Sequence, residues 1–254
     1  MPSGTQRSSA GDPARTLELL WREPGRAPAR GPRQRIAVEQ VIAAAIDIAD
    51  TRGLSALTIR AVAAALGVAP MGIYTYVPGK AELLDLMLDT VYQQLPRAEF
   101  GGTDWRAKVS AVAAENRAML EQHRWITELP STRPPLGPGL IAKYDHELSA
   151  FDGLGLSDLE MDAALTHLLG FVTAVARIGI DTRAANDDSG ETDEQWWQRV
   201  GPLLDRVLDA ERYPLAVRVG AAAGQTHNSA YDADHAYEFG LARVLDGLAA
   251  LIES

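Results

Sequence analysis

A chain of 254 residues that is 46% hydrophobic and 23% charged holds enough apolar material for one large or two small domains. It contains no cysteine, which excludes disulfides, thiolate metal sites and thiol nucleophiles. The net charge of −10 is unevenly placed: residues 1–80 carry 10 Lys and Arg against 6 Asp and Glu, and residues 81–254 carry 14 against 28, the balance of a basic nucleic-acid-binding head on an acidic body.

Residues 1–32 are rich in Arg, Pro, Gly and Ser and read as a mobile arm, with one short amphipathic piece, LELLW, at 17–21. They lack the apolar core of a signal peptide. From Val38 the period turns helical, with Val41, Ile42, Ala45, Ile46 and Ala49 at three-to-four spacing and Gly53 as the stop. Thr58 is placed to cap a second helix, IRAVAAAL, that ends at Gly67, and Pro70 suits the first turn of a third, MGIYTY. A fourth helix starts at Lys80, carries Leu84, Met87, Leu88, Val91 and Leu95 on one stripe, and stops at Pro96.

The rest is again helical, over 104–123, 138–152, 157–181, 194–211 and 232–253, joined by turn-rich segments. Ser157 and Glu160 form a capping box. Helix 157–181 is apolar on nearly every side from Ala163 to Ile180, so it must be covered all round by its own domain or by a partner. The last helix, YEFGLARVLDGLAALI, combines an apolar stripe with Gly240, Gly247 and Ala250, which permit close helix approach. Together the two suggest a subunit interface. The stretch NDDSGETDE at 186–194 lacks calcium-loop spacing and reads as a solvated acidic loop. No apolar run reaches the roughly 18 residues of a membrane span, so a cytoplasmic protein with no membrane partner is expected.

A helix, a tight turn at Leu66-Gly67-Val68 and a second helix of about seven residues make a helix-turn-helix, whose second helix enters the major groove. Ala61, Ala64 and Ala65 would let the two helices pack closely, with Val68 and Ile73 beneath. Met71, Gly72, Tyr74, Thr75 and Tyr76 would then face DNA, hydroxyls to phosphates or bases and the Thr75 methyl to a thymine methyl.

The string LTIRAVAAALGVAPMGIYTYVPGKAELLDLML at 57–88 resembles the DNA-binding domain of the tetracycline-repressor (TetR) family, the likeness spanning roughly 36–95. Trp105, the STRPPLGP segment at 131–138, the Gly170-containing helix and the last helix resemble that family's effector-binding domain. The resemblance implies an all-α chain: the arm at 1–32, a three-helix DNA-binding domain at 33–95, and an effector-binding and dimerisation domain at 96–254. It implies a homodimer through helices 157–181 and 232–253, a palindromic double-stranded DNA operator, and a small organic effector that releases it.

By the same resemblance Arg60 is a base reader, a phosphate or surface role being the alternative, and Tyr74 and Lys80 contact phosphate. Thr58 contacts phosphate or serves only as a cap. Arg22, Arg26, Arg30, Arg33 and Arg35 reach the minor groove or are inert. Gly72 and Thr75 depart from the tetracycline repressor, so its operator does not carry over. Asn116, Trp125, Arg133 and His167 are candidate effector contacts, since an apolar cavity needs a few polar groups to orient its ligand; for His167, on an apolar helix, a core or interface role is the commoner reading. Met119 and Phe171 are expected in the core. The family's metal-coordinating histidine precedes Thr-Arg-Pro by three residues, and here Leu129 stands there, before Thr132-Arg133-Pro134. A metal-free effector and no cofactor are therefore expected.

No H-E-x-x-H, G-x-S-x-G, Walker or G-x-G-x-x-G element occurs, and the five histidines are scattered. An enzyme is not expected. The competing readings are a helical small-molecule-binding protein or enzyme with a vestigial DNA domain, and an activator or architectural DNA protein. Operator protection separates the first from a repressor, and the sign of the transcriptional effect separates the second.

Overall fold

The computed structural model describes residues 12–22, 36–102, 104–129 and 133–253, and among them every regular element is helical. The helices are α1 (Pro13–Leu20), α2 (Val38–Arg52), α3 (Ile59–Ala65), α4 (Pro70–Ile73), α5 (Lys80–Gln94), α6 (Trp105–Gln122), α7 (Pro138–Leu148), α8 (Asp158–Ser189), α9 (Asp193–Val207), α10 (Pro214–His227) and α11 (Ala233–Ile252). The chain divides into two compact units, 1–166 and 167–254, with the division falling within α8.

In the first unit α2 buries Val41, Ile42, Ala45, Ile48 and Ala49. Ile48 takes the core place expected of Ile46, which is only half-buried. Gly53 ends the helix at φ +79°, a region that favours glycine. The helix α5 departs from its expected single stripe. Leu83, Leu84, Leu86, Met87, Leu88 and Val91 are all buried, and so are Glu82, Asp85 and Asp89. It is covered on every side because α1, α2 and α7 all pack on it.

The α5–α7 crossing is the closest of these. A Cβ on Gly139 would overlap the backbone oxygen of Asp89 and lie 2.9 Å from the Gln93 nitrogen, so only glycine fits. The approach brings the Asp89 carboxylate to the start of α7, where it accepts the Leu140 N–H at 2.9 Å and the Gly139 N–H. First-turn N–H groups have no partner within their own helix, and here a carboxylate from another helix supplies one. Burial raises the Asp89 pKa, an effect opposed by those two N–H groups and by Arg22.

The mobile-arm expectation is corrected for residues 12–22. Asp12 accepts the Ala14 N–H and starts α1, which buries Thr16 and Leu20. The Trp21 indole N–H donates to the Leu136 carbonyl at 2.8 Å, and Arg22 pairs with Glu39 at 2.9 Å. The signal was the LELLW amphipathic piece, whose apolar side has a partner only in the folded unit. Arg26, Arg30, Arg33 and Arg35 lie outside the described residues.

In the second unit α8 buries Leu168, Val172, Ala176 and Ile180 and leaves Thr173, Ala174 and Ile178 exposed, so one face rather than the whole circumference is covered. It runs through 186–189, which corrects the acidic loop, and ends at Gly190 with φ +67°. By length and mean hydropathy it meets the criterion for a membrane span, a criterion that the core helices of soluble proteins also meet. The helix α10 falls where a turn-rich joint was expected: its alanines and glycines give little periodicity, yet a Cβ on Gly224 would lie 2.6 Å from the Trp197 ring of α9. Gly240 packs under the Phe171 ring of α8, so its small size serves a contact within the chain. Gly170 and Gly247 face open space.

Gly139→Ala should lower stability by about 1–3 kcal/mol through overpacking, and Asp89→Ala by about 0.5–2 kcal/mol through loss of the cap. Urea unfolding of both variants checks this. Wild-type midpoints would show that the crossing is not held as described.

Candidate nucleic-acid interface

The turn is built by the backbone. The Thr58 hydroxyl accepts the Ala61 N–H at 3.1 Å and opens α3. At its other end Val68 N–H bonds to Ala63 C=O at 2.9 Å and Gly67 N–H to Ala64 C=O at 3.2 Å, the paired bonds of a Schellman ending, with Gly67 at φ +67°. The chain reverses there at little cost only because the residue is glycine. Val62 and Ala63 form the buried face of α3, while Ala64 and Ala65 are exposed, which corrects the expected alanine contact face by about one position.

Pro70 then opens α4, a single turn. Tyr76 N–H to Ile73 C=O at 2.9 Å and Val77 N–H to the same carbonyl at 3.0 Å tighten its end, so the expected seven-residue helix is four helical residues and a turn. Ile73 and Val77 are fully buried and anchor it. On the outer side Met71 is 75% exposed and Tyr74 45%, Arg60, Thr58 and Thr75 are exposed, and Gly72 and Tyr76 are half-buried. Lys80 begins α5, whose N-cap Gly79 offers no side-chain bond, and partial burial lowers its pKa. One side of the head thus gathers hydroxyls, an exposed thioether and two cations beside uncapped N–H groups, an arrangement that suits a phosphate backbone and base edges.

The head is tied to the helices beyond it in the same unit. Asp50 of α2 accepts the Trp125 indole N–H at 2.8 Å and lies 2.9 Å from His123 Nδ1. Trp125, a candidate effector contact, is fully buried and takes part in this tie. Asn116 is buried too, its amide donating to Val112 C=O at 2.9 Å and to Glu147. Glu147 is also held by Lys143 at 2.7 Å, and burial lowers the Lys143 pKa against the pull of that carboxylate. Arg133 and His167 are exposed. Thr132 lies outside the described residues. Leu129 and Met119 are buried, and Phe171 is half-buried.

A cavity of about 560 Å³ opens between α1, α2 and α5, and another of about 410 Å³ lies in the second unit by Asn186, Trp196 and Tyr231. None of Asn116, Trp125, Arg133 and His167 lines either. Asp50, Asp89, Lys143 and Glu147 were missed in the sequence. The i,i+4 spacing of Lys143 and Glu147 was legible, but such a pair on a helix is ordinarily a solvated one. Among the described residues no group of three or more His, Asp or Glu is placed to hold a metal ion.

This fold and this surface define a helix-turn-helix DNA-binding regulator. Residues 41–87 match the model of bacterial regulatory proteins of the tetR family, and residues 96–252 match the tetracyclin repressor-like C-terminal domain. The chain is 40% identical over 249 residues to the HTH-type transcriptional repressor DrrR1 of Streptomyces coeruleorubidus, covering 98% of this chain and 90% of that one. It is 28% identical over 215 residues to the class A tetracycline repressor protein from transposon 1721 of Escherichia coli, covering 82% and 88%. The Streptomyces coelicolor TetR family protein ActR, solved in complex with actinorhodin, superposes with a TM-score of 0.72 at 26% identity, over 86% of this chain and 98% of that one. The chain belongs to the TetR family of transcriptional regulators.

Thr58→Ala should remove about 1 kcal/mol of stability by leaving the first turn of α3 uncapped, and Thr58→Ser should keep most of it. Thermal unfolding of the two variants reads the difference. Equal losses would assign Thr58 a role other than the cap.

Proposed function

We propose that this chain is a cytoplasmic repressor that binds a palindromic operator as a homodimer and is released by a small organic effector. The carrying observation is α4 with the turn that follows it, where Met71, Tyr74 and Thr75 are exposed and Gly72 and Tyr76 half-buried, flanked in sequence by Arg60 on α3 and Lys80 on α5. Arg60 reads a base, its guanidinium fork matching guanine O6 and N7. Lys80, Tyr74 and Thr58 hold phosphates and set the register.

Dimerisation through α8 and α11 is supported by the apolar and small residues they leave uncovered. Phe239 is 57% exposed and Ile178 43%, and Gly170 and Gly247 have open space at their Cα atoms. The effector is metal-free and largely apolar: Leu129, buried and without a lone pair, occupies the place of the histidine ligand in the tetracycline repressor. ActR binds actinorhodin, an organic molecule, and that supports an organic effector here.

Arg60→Ala should cost about 1–3 kcal/mol on the operator and relax preference at one base pair per half-site, while Lys80→Ala should weaken all sequences alike and reduce the salt slope by about one unit. Footprinting of the DNA flanking the gene, followed by titration at several salt concentrations, measures both. Equal losses of Arg60→Ala on operator and random DNA would remove the base-reading role.

Ile178→Arg combined with Phe239→Arg should give monomers with little operator affinity, because one half-site forfeits the binding energy of the other. Both side chains are exposed, whereas Leu248 is 7% exposed within its own unit and a charge there would report on folding. Sedimentation reads the outcome. A variant that remains dimeric places the interface elsewhere.

A further inference from the structure

The cavity of about 560 Å³ in the first unit has the size of a drug-sized ligand site, and no proposed DNA contact lines it. Its walls come from α1, α2 and α5, with Gln122 and His123 at the end of α6 and Pro138 at the start of α7. Ile42 and Ile46 come from the head helix α2, Leu86 from the connector α5, and Leu20 from α1. These side chains supply an apolar floor.

The polar lining is one-sided in charge. Glu39, Asp47, Asp50 and Asp89 all reach the cavity, and among its described lining residues Arg22 is the one permanently charged cation. Arg22 is taken up by Glu39 at 2.9 Å, and His123 by Asp50 at 2.9 Å. The wall therefore keeps negative charge in excess even with His123 protonated. Burial already disfavours ionised Asp89. Glu39, Asp47 and Asp50 are exposed, so solvent screens this charge, and what remains is a Coulomb preference that attracts a cation, leaves a neutral guest unaffected and repels an anion.

We propose that this cavity binds a drug-sized organic cation, an apolar body carrying a protonated amine, with α1 forming its outer wall. The inference rests on the ligand-responsive reading of the regulator and names the effector chemistry. The guest sits between α2, whose Asp50 ties the head to His123 and Trp125, and α5, which leads from Lys80 to the α7 crossing. It shifts the head only to the extent that it binds one arrangement of α2 against α5 more tightly than the other. The Trp21 bond to Leu136 and the Arg22 bond to Glu39 hold α1 in place over the site.

The test uses the full chain without DNA, titrated with 9-aminoacridine, a planar amine protonated at neutral pH, and with acridine, which has the same ring frame and is mostly neutral. Wild type should bind the amine about tenfold more tightly than acridine. Asp47→Asn should reduce that preference about threefold, and Ile46→Trp should abolish binding of both by filling the floor. Should Ile46→Trp fail to fold, Ala43→Leu, at an exposed edge of the same wall, fills the space in its stead. No binding of the amine, equal affinity for the two probes, or undiminished binding in the filled variant overturns the assignment. Operator binding by wild type without probe is measured in parallel. Its absence sinks the regulator reading, and its presence with a failed probe titration sinks the cavity alone.

Discussion

The close crossing of α5 and α7, sealed by the Asp89 carboxylate on the first N–H groups of α7, is the constraint on which the first unit depends. Two helix backbones can approach this far only where one has no side chain, and Gly139 is that place. Once they do, a buried carboxylate and two otherwise unpartnered donors satisfy one another. The geometry explains how α5 tolerates burial on every side. Two of its polar groups are partnered in the interior: Asp89 meets a helix terminus, and Tyr92 lies under the Lys143 ammonium, 5.3 Å from the ring centre.

This packing gives the DNA-facing surface its support. The helix α4 is one turn long and would not persist alone, since nucleating a helix costs more than one turn returns. It is held by Ile73 and Val77 below, by the Gly67 turn before it, and by α5, which begins seven residues after Ile73. The same α5 runs on to the α7 crossing. A second tie joins α2 through Asp50 to Trp125 and His123, so two independent links connect the head with the helices that follow it. A regulator needs such links, because an effector acts on DNA binding only through elements whose arrangement it can bias.

The polar interior of the first unit takes a form unlike a site of solvated charges. Lys143, Glu147 and Asn116 bond one another in the core, and breaking one partner would strand the others in low dielectric. Of the cavity-wall carboxylates, Glu39 and Asp50 are exposed and each paired across to another segment, and Asp89 is buried against the α7 terminus.

What the residues alone determined follows from local rules. The Thr58 cap, the Gly53 and Gly67 stops, Pro70 at a first turn and the Ser157–Glu160 box each depend on a few neighbouring backbone groups, and each stands where the chain places it. The helix-turn-helix was legible for that reason, and so was the family. Which face each helix buries was decided by tertiary structure: α5 is enclosed where one stripe was expected, α3 turns Val62 and Ala63 inward, and α1 and α10 gain partners their own periods do not announce. Trp125 and Asn116 stand out by residue type as candidate ligand contacts, but their bonds to Asp50 and Glu147, distant in sequence, appear only in the fold. Hydrogen bonds across 75 and 31 residues leave no periodic trace in a chain, because their energy depends on where folding brings the partners and not on what stands beside them.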